Sequence, residues 1–109
     1  MADVTPLEDA PSRRSEAPEP LWREVLGRLL RELRADRGQT LVDTAKRAGI
    51  SPQYLSEMER GLKEPSSEMI SAVAGALDSS LAEIATEVGR DLSRSRDAAV
   101  TRAVVSLAA

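Results

Sequence analysis

The sequence predicts an all-α fold: five helices with a helix-turn-helix at the centre, a flexible N-terminal leader and a C-terminal tail. Three observations carry that expectation. The stretch TLVDTAKRAGISPQYLSEMERG, from Thr40 to Gly61, holds two short helical patterns separated by a Gly and followed at once by a fresh start signal. Apolar residues on either side of it recur at helical spacing rather than in alternation. The chain is 41% hydrophobic, mostly Leu, Ala, Val and Ile, with 2% aromatics and no Phe, which suits small helices packed through aliphatic side chains.

Residues 1–19 place Pro6, Pro11 and Pro18 among Asp, Glu, Ser and Ala. Such a segment buries too little apolar surface to offset chain entropy, so a disordered leader is expected. The first helix is expected from about Leu21 to Arg37, because Leu21, Trp22, Val25, Leu26, Leu29, Leu30 and Leu33 form one stripe and Gly38 ends it. That stripe is wider than one small domain needs. Leu26, Leu30 and Leu33 are assigned to the core, and Trp22, Val25 and Leu29 either to a cover over a C-terminal helix or a second subunit or, on the plainer alternative, to the core as well.

In the second helix Leu41 and Ala45 share a face with the short side chains of Thr44 and Ala48, which lets a neighbour approach closely. Gly49 permits a sharp change of direction, Ile50 plugs the bend, Ser51 caps the third helix, and Pro52 loses nothing at its first position. Leu55 and Met58 then face inward. Gln53, Tyr54, Ser56, Glu57 and Arg60 face out, a polar row suited to base edges and phosphates. The plainer alternatives are that Tyr54 lies over the first helix and that Ser56 is solvated surface.

Gly61-Leu62-Lys63-Glu64-Pro65 breaks the third helix, and Ser66 caps a fourth of about Ser67 to Leu77, with Met69, Ile70, Val73, Ala74 and Leu77 on its buried face. Amides of its first turn, with Ser66, Ser67 and Lys63 nearby, form a place for a phosphate. Asp78-Ser79 turns the chain, and Ser80-Leu81-Ala82-Glu83 reads as a capping box opening a fifth helix. There Leu81, Ile84, Ala85, Val88 and Leu92 keep the apolar spacing to about Ser93. The domain is thus expected over residues 20–96. The tail, 97–109, reads DAAVTRAVVSLAA, either an Ala-rich extension of the fifth helix with Val100, Val104 and Val105 on one side, or an unstructured apolar end.

Composition narrows the function. With no Cys there is neither a disulfide nor a thiolate metal site, and with no His the commonest general base is missing. No Gly-rich phosphate loop and no carboxylate pair suggests a catalytic centre, so no enzyme, cofactor, metal or small-molecule ligand is expected. No apolar run of about 18 residues occurs, and the start MADVTPLEDAP lacks a basic n-region and an apolar h-region, so a cytoplasmic protein without a membrane span is expected. The net charge of −3 lies in the leader, where Asp3, Glu8, Asp9, Glu16 and Glu19 outnumber Arg13 and Arg14; the remainder is balanced. A neutral domain is a weak electrostatic signature for a DNA binder, so Lys46, Arg47, Arg60 and Lys63 would have to gather on one face.

The run AGISPQYLSEMERGLKEPSSEMISAVAGAL resembles the helix-turn-helix of the Xre/Cro/C1 repressor family, and LGRLLRELRADRGQTL resembles that family's first helix. The resemblance extends over roughly Leu21 to Glu87. Within the family, YLSEMERGLKEPSSEMISAV and a tail ending VVSLAA resemble the actinobacterial regulators of Clp protease genes, the ClgR and PopR group.

That resemblance implies a lambda-repressor-like DNA-binding domain on double-stranded DNA. Pro52, Gln53 and Glu57 would hold the positions that reach base edges: Gln53 suited to adenine, Glu57 to the cytosine amino group, Pro52 to a thymine methyl. Thr40, Ser51, Tyr54, Arg60, Lys63 and Ser67 would position phosphates. Arg34 and Glu59 would form an ion pair bracing the first helix against the third. Val88 and Leu92 would lie at a homodimer seam, since a single small reading head rarely gives enough affinity. Leu107-Ala108-Ala109 resembles the apolar tag by which Clp proteases capture substrates, which implies a regulator degraded by the protease whose genes it controls. A mixed patch around the third and fourth helices could touch RNA polymerase. An antitoxin clamping a toxin through its last helix, and a phage-type or developmental repressor unrelated to proteolysis, are the alternative readings.

Overall fold

The computed structural model describes residues 21–108, all of whose regular structure is helical: α1 (Trp22–Asp36), α2 (Leu41–Ala48), α3 (Pro52–Glu59), α4 (Ser67–Ala76) and α5 (Leu81–Ala108). The leader expected over 1–19 lies outside the described residues, as does Ala109. Each start is fixed by local chemistry. The side-chain oxygens of Thr40, Ser51, Ser66 and Ser80 accept from the amides of Asp43, Tyr54, Met69 and Glu83 at 3.0, 3.0, 3.2 and 3.1 Å, satisfying donors that the first turn leaves unpaired. The expected capping box of α5 is half formed. Glu83 turns its carboxylate to the Ser79 hydroxyl at 2.9 Å instead of the Ser80 amide.

Between α2 and α3, Gly49 takes a left-handed φ of 76°, which redirects the chain within one residue, and the Ile50 amide then donates to the Ala45 carbonyl at 3.0 Å. The two helices of the motif are thereby set at a bend rather than in line. Helix α1 packs against α3 and α5, α2 against α3 and α4, and α4 against α5. The core they enclose is built from Val25, Leu26 and Leu30 of α1, Ala45 of α2, Leu55 and Met58 of α3, Ile70, Val73 and Ala74 of α4, Leu77, and Ile84 and Val88 of α5.

One expectation for α1 is corrected. Val25 is fully buried core, as the all-core alternative has it, whereas Leu33 is only partly buried. Because α1 meets α3 on one side and α5 on the other, the wide stripe is used within the chain and the core shifts toward its start. Of the two readings of the tail, the helical extension is the one observed: α5 runs unbroken to Ala108, so residues 97–108 continue that helix. No Gly or Pro follows Gly89 to stop it, and the surface pair Arg90–Glu87 at 2.6 Å, with Arg94–Asp91, lies along its length. Val100, Val104 and Val105 are exposed on it.

Candidate nucleic-acid interface

Helix α3 and the turn that follows it are held by three separate attachments to α1. Midway along α1, Gly27 lies against the Met58 and Glu59 carbonyls at the end of α3, so close that no side chain fits between the two backbones. One turn earlier, Arg23 Nε donates to the Gly61 carbonyl at 3.0 Å. Toward the other end, Arg34 grips Glu59 with two bonds, Nε to Oε2 at 2.6 Å and Nη2 to Oε1 at 3.0 Å. The side chains of this pair are only 18% and 7% exposed, so it is a braced, largely desolvated contact and Glu59 is not free to read a base. The Arg34 guanidinium is raised above its ordinary pKa, first by the hydrogen bond it donates to Glu59; burial opposes this and the Glu59 charge adds to it.

A polar chain continues from that pair. Arg34 Nη1 donates to the Gln39 carbonyl at 3.0 Å, the Gln39 Oε1 accepts from the Thr44 hydroxyl at 2.6 Å, and Gln39 Nε2 donates to the Ala76 carbonyl at 3.4 Å. Thr44 is fully buried on α2, and its hydroxyl is satisfied by donating to Gln39. The orientation of α3 is therefore tied to α1, α2 and the end of α4. Sequence reasoning missed Gly27, Arg23, Gln39 and the buried hydroxyl of Thr44. A glycine inside the regular apolar stripe of α1 was the available signal for a close backbone approach.

The outward face of α3 presents Ser51, Pro52 and Gln53 exposed in its first turn, with Tyr54, Ser56 and Glu57 half-buried behind them. Tyr54 is partly buried and packs against the core. Arg60 is exposed, its Nε donating back to the Ser56 carbonyl at 3.4 Å. Lys63 Nζ stands 3.8 Å from Glu57 Oε1, which brings together a residue expected on a base edge and one expected on a phosphate. Thr40 and Ser67 are exposed at the starts of α2 and α4, and Lys46 is exposed on α2. Arg47 points to Asp78 at 3.9 Å instead, leaving less basic charge for a ligand than its sequence position suggests.

Val88, expected at a dimer seam, is buried within the chain, 5% exposed; Leu92 is half-buried. Both line an apolar groove of about 280 Å³ between α1 and α5, with Trp22, Ile84, Ala85 and Gly89 among its other walls. Leu107 and Ala108 close α5, with Leu107 87% exposed. Among the described residues no group of His, Cys, Asp or Glu could hold a metal ion, and no helix is long and apolar enough to cross a membrane.

A helix-turn-helix family model matches residues 30–84, the segment from mid-α1 to the start of α5. The transcriptional regulator ClgR of Mycobacterium tuberculosis is 45% identical over 74 residues, an alignment covering 68% of this chain and 66% of that relative. The crystal structure of the clp gene regulator ClgR from Corynebacterium glutamicum superposes with a TM-score of 0.72 at 42% identity, covering 84% of this chain and 97% of the other. A second crystal structure of ClgR from C. glutamicum gives a TM-score of 0.64 at 49% identity, covering 69% of this chain and 96% of the other.

Proposed function

The chain belongs to the helix-turn-helix family as a DNA-binding regulator of the ClgR type, and from that premise we propose that it controls transcription of Clp protease genes by binding their promoters as a homodimer. The carrying observation is the exposed first turn of α3, Ser51-Pro52-Gln53, on a helix fixed at its far end by Gly27, Arg23 and the Arg34–Glu59 pair. A helix pinned in this way offers its first residues to the major groove without paying to order them. In this reading Pro52, Gln53 and Glu57 meet base edges, and Thr40, Ser51, Arg60, Lys63 and Ser67 meet phosphates. Tyr54, half-buried against the core, offers at most its hydroxyl to a phosphate.

The dimer seam falls on the groove between α1 and α5. Val88 forms its floor, and Trp22, Leu81 and Leu92 offer partly exposed apolar surface around it. Two heads joined there would read half-sites about one helical turn apart. The protein works where promoter DNA is, in the cytoplasm, and a mixed patch around α3 and α4 is the surface available to RNA polymerase. Leu107-Ala108-Ala109 serves as the signal for Clp degradation; Leu107 stands free of the core in the last turn of α5, so that turn unwinds at little cost.

The deciding experiment is binding of the purified chain to labelled Clp promoter fragments and to unrelated duplexes at two salt concentrations, with Gln53→Ala alongside. Specific complexes that survive added salt and vanish in Gln53→Ala support the reading. Equal, salt-sensitive binding to every fragment, indifferent to Gln53, overturns it.

A further inference from the structure

We infer that Lys63 is a specificity-positioning residue: it holds and neutralises the Glu57 carboxylate so that Glu57 can accept a hydrogen bond from an exocyclic amino group in the major groove. The inference rests on the DNA-binding reading and adds a second function for a lysine otherwise assigned to phosphate.

A carboxylate brought into the major groove faces the phosphates of both strands, and an unpaired charge there is repelled before it can discriminate any base. Glu57 therefore needs a cation beside it. Among the described residues the cations near α3 are otherwise engaged. Arg34 is bound to Glu59, Arg60 Nε turns back to the Ser56 carbonyl, and Arg23 donates to Gly61 and pairs with Glu64 at 3.9 Å. Lys63 alone reaches Glu57, at 3.8 Å, and the Glu57 side chain is only 24% exposed, so the pair is partly shielded from screening by salt.

The loop that carries Lys63 is anchored on both sides. The Leu62 amide donates to the Glu57 carbonyl at 2.9 Å, tying the loop to the same residue whose side chain Lys63 meets. Gly61 and Glu64 are fastened to α1 through Arg23, and Pro65 is buried. Lys63 is thus presented to Glu57 by backbone that does not need to move when DNA arrives. An ammonium at that place leaves the second carboxylate oxygen free as an acceptor, and cytosine N4 is the amino donor that a lone carboxylate suits.

The test is selection of duplexes from a randomised library by the full chain, for wild type, Lys63→Met, Lys63→Arg, Glu57→Gln and Glu57→Gln/Lys63→Met, with thermal melts to show that each variant is folded. Wild type should prefer C at one position of each half-site. Lys63→Met should relax that preference by roughly fivefold, leaving the other positions unchanged, and Lys63→Arg should retain it. In the Glu57→Gln background Lys63→Met should no longer alter base preference. A Lys63→Met effect that lowers binding to all sequences evenly in both backgrounds, and only flattens the salt dependence, would reduce Lys63 to a phosphate contact and overturn the inference while leaving the DNA reading intact. Failure of wild type to select any sequence would overturn both.

Discussion

Gly27 and Met58 touch through their backbones: a Cβ built on Gly27 would fall against the Met58 carbonyl oxygen and within 2.6 Å of the Glu59 oxygen. The contact joins α1 to the end of α3, the helix proposed to carry the base-reading side chains. Nothing flexible stands in the way, because the obstructing atoms are main chain at the end of α3, and the Met58 carbonyl also accepts from the Gly61 amide at 3.1 Å.

Gly27→Ala should therefore push α3 away from α1 in spite of alanine's better helix propensity. Propensity would favour the change by just under ~1 kcal/mol, whereas overpacking against backbone costs about 1–3 kcal/mol, so the net sign is destabilising. For a domain of this size that is a fall in Tm of several degrees, roughly 4–8 °C per kcal/mol. Thermal unfolding followed by circular dichroism measures it; an unchanged or raised Tm would mean that the helices separate without penalty.

The Arg34–Glu59 pair should behave as a unit. Arg34→Met alone leaves the 7% exposed Glu59 carboxylate without its cation, and Glu59→Leu alone leaves the guanidinium without its charge partner; each should cost about 3 kcal/mol or somewhat more. The double variant Arg34→Met/Glu59→Leu should recover a large part of that loss, which a double-mutant cycle in urea reads directly. The pH dependence has a definite sign. Arg34 is raised above its ordinary value, so its contribution is complete below the unfolded arginine pKa and is lost only as pH rises through the still higher folded value. Both lie well beyond the neutral range, so the stability gap between wild type and Arg34→Met should stay constant from about pH 6 to about pH 9.

Thr44 and Gln39 give a third test. Thr44→Val is nearly isosteric but removes the only hydroxyl offered to Gln39 Oε1, and should cost about 1–2 kcal/mol. Gln39→Leu leaves the fully buried Thr44 hydroxyl to fall back on its own helix and should cost about as much. Made together they replace a polar contact by an apolar one of similar shape, and the double variant should lie closer to wild type than either single one. Strict additivity of the two losses in denaturant titrations would show that the side chains act independently.

Much of this was legible in the sequence because it is local chemistry. Ser51, Ser66 and Ser80 all cap where a hydroxyl precedes an apolar period, Thr40, expected only at a phosphate, caps α2 by the same chemistry, and the Gly49 bend follows from the need for a positive φ. The Arg34–Glu59 pair spans two helices and was reached only through family resemblance; nothing in the spacing of residues 34 and 59 would have joined them. The remaining features needed three dimensions. Val88 sits on the same stripe as Leu92, and periodicity alone does not say at which turn the chain's own core ends. The tail has the helical spacing of α5 and no breaker, yet its exposed Val100, Val104 and Val105 give no packing that a sequence could be read to require. The Glu57–Lys63 approach depends on how the Gly61 loop folds back, which Arg23 decides from a different helix.

Asp78 provides the last prediction, because two small effects oppose each other there. It is the only non-glycine among the described residues with a left-handed backbone, φ 58°, in the turn that ends α4, where its amide donates to the Gly75 carbonyl and the next amide to Ala74. Glycine would suit that conformation better by about 1 kcal/mol. In exchange the Asp78 carboxylate meets Arg37 at 3.0 Å and Arg47 at 3.9 Å, linking the ends of α1 and α2 to the α4–α5 turn. These side chains are 41–59% exposed, so each contact is worth no more than a few tenths of a kcal/mol after screening. Asp78→Gly relieves the backbone and loses the ion pairs, and should fall within about 0.5 kcal/mol of wild type. Asp78→Ala keeps the strained backbone, loses the ion pairs and gains nothing, and should be less stable than the glycine variant by roughly 1 kcal/mol. Raising the salt concentration should shift the comparison further toward glycine, since it weakens only the wild-type contacts. A glycine variant as unstable as the alanine one would mean that the carboxylate, and not the backbone, governs this turn.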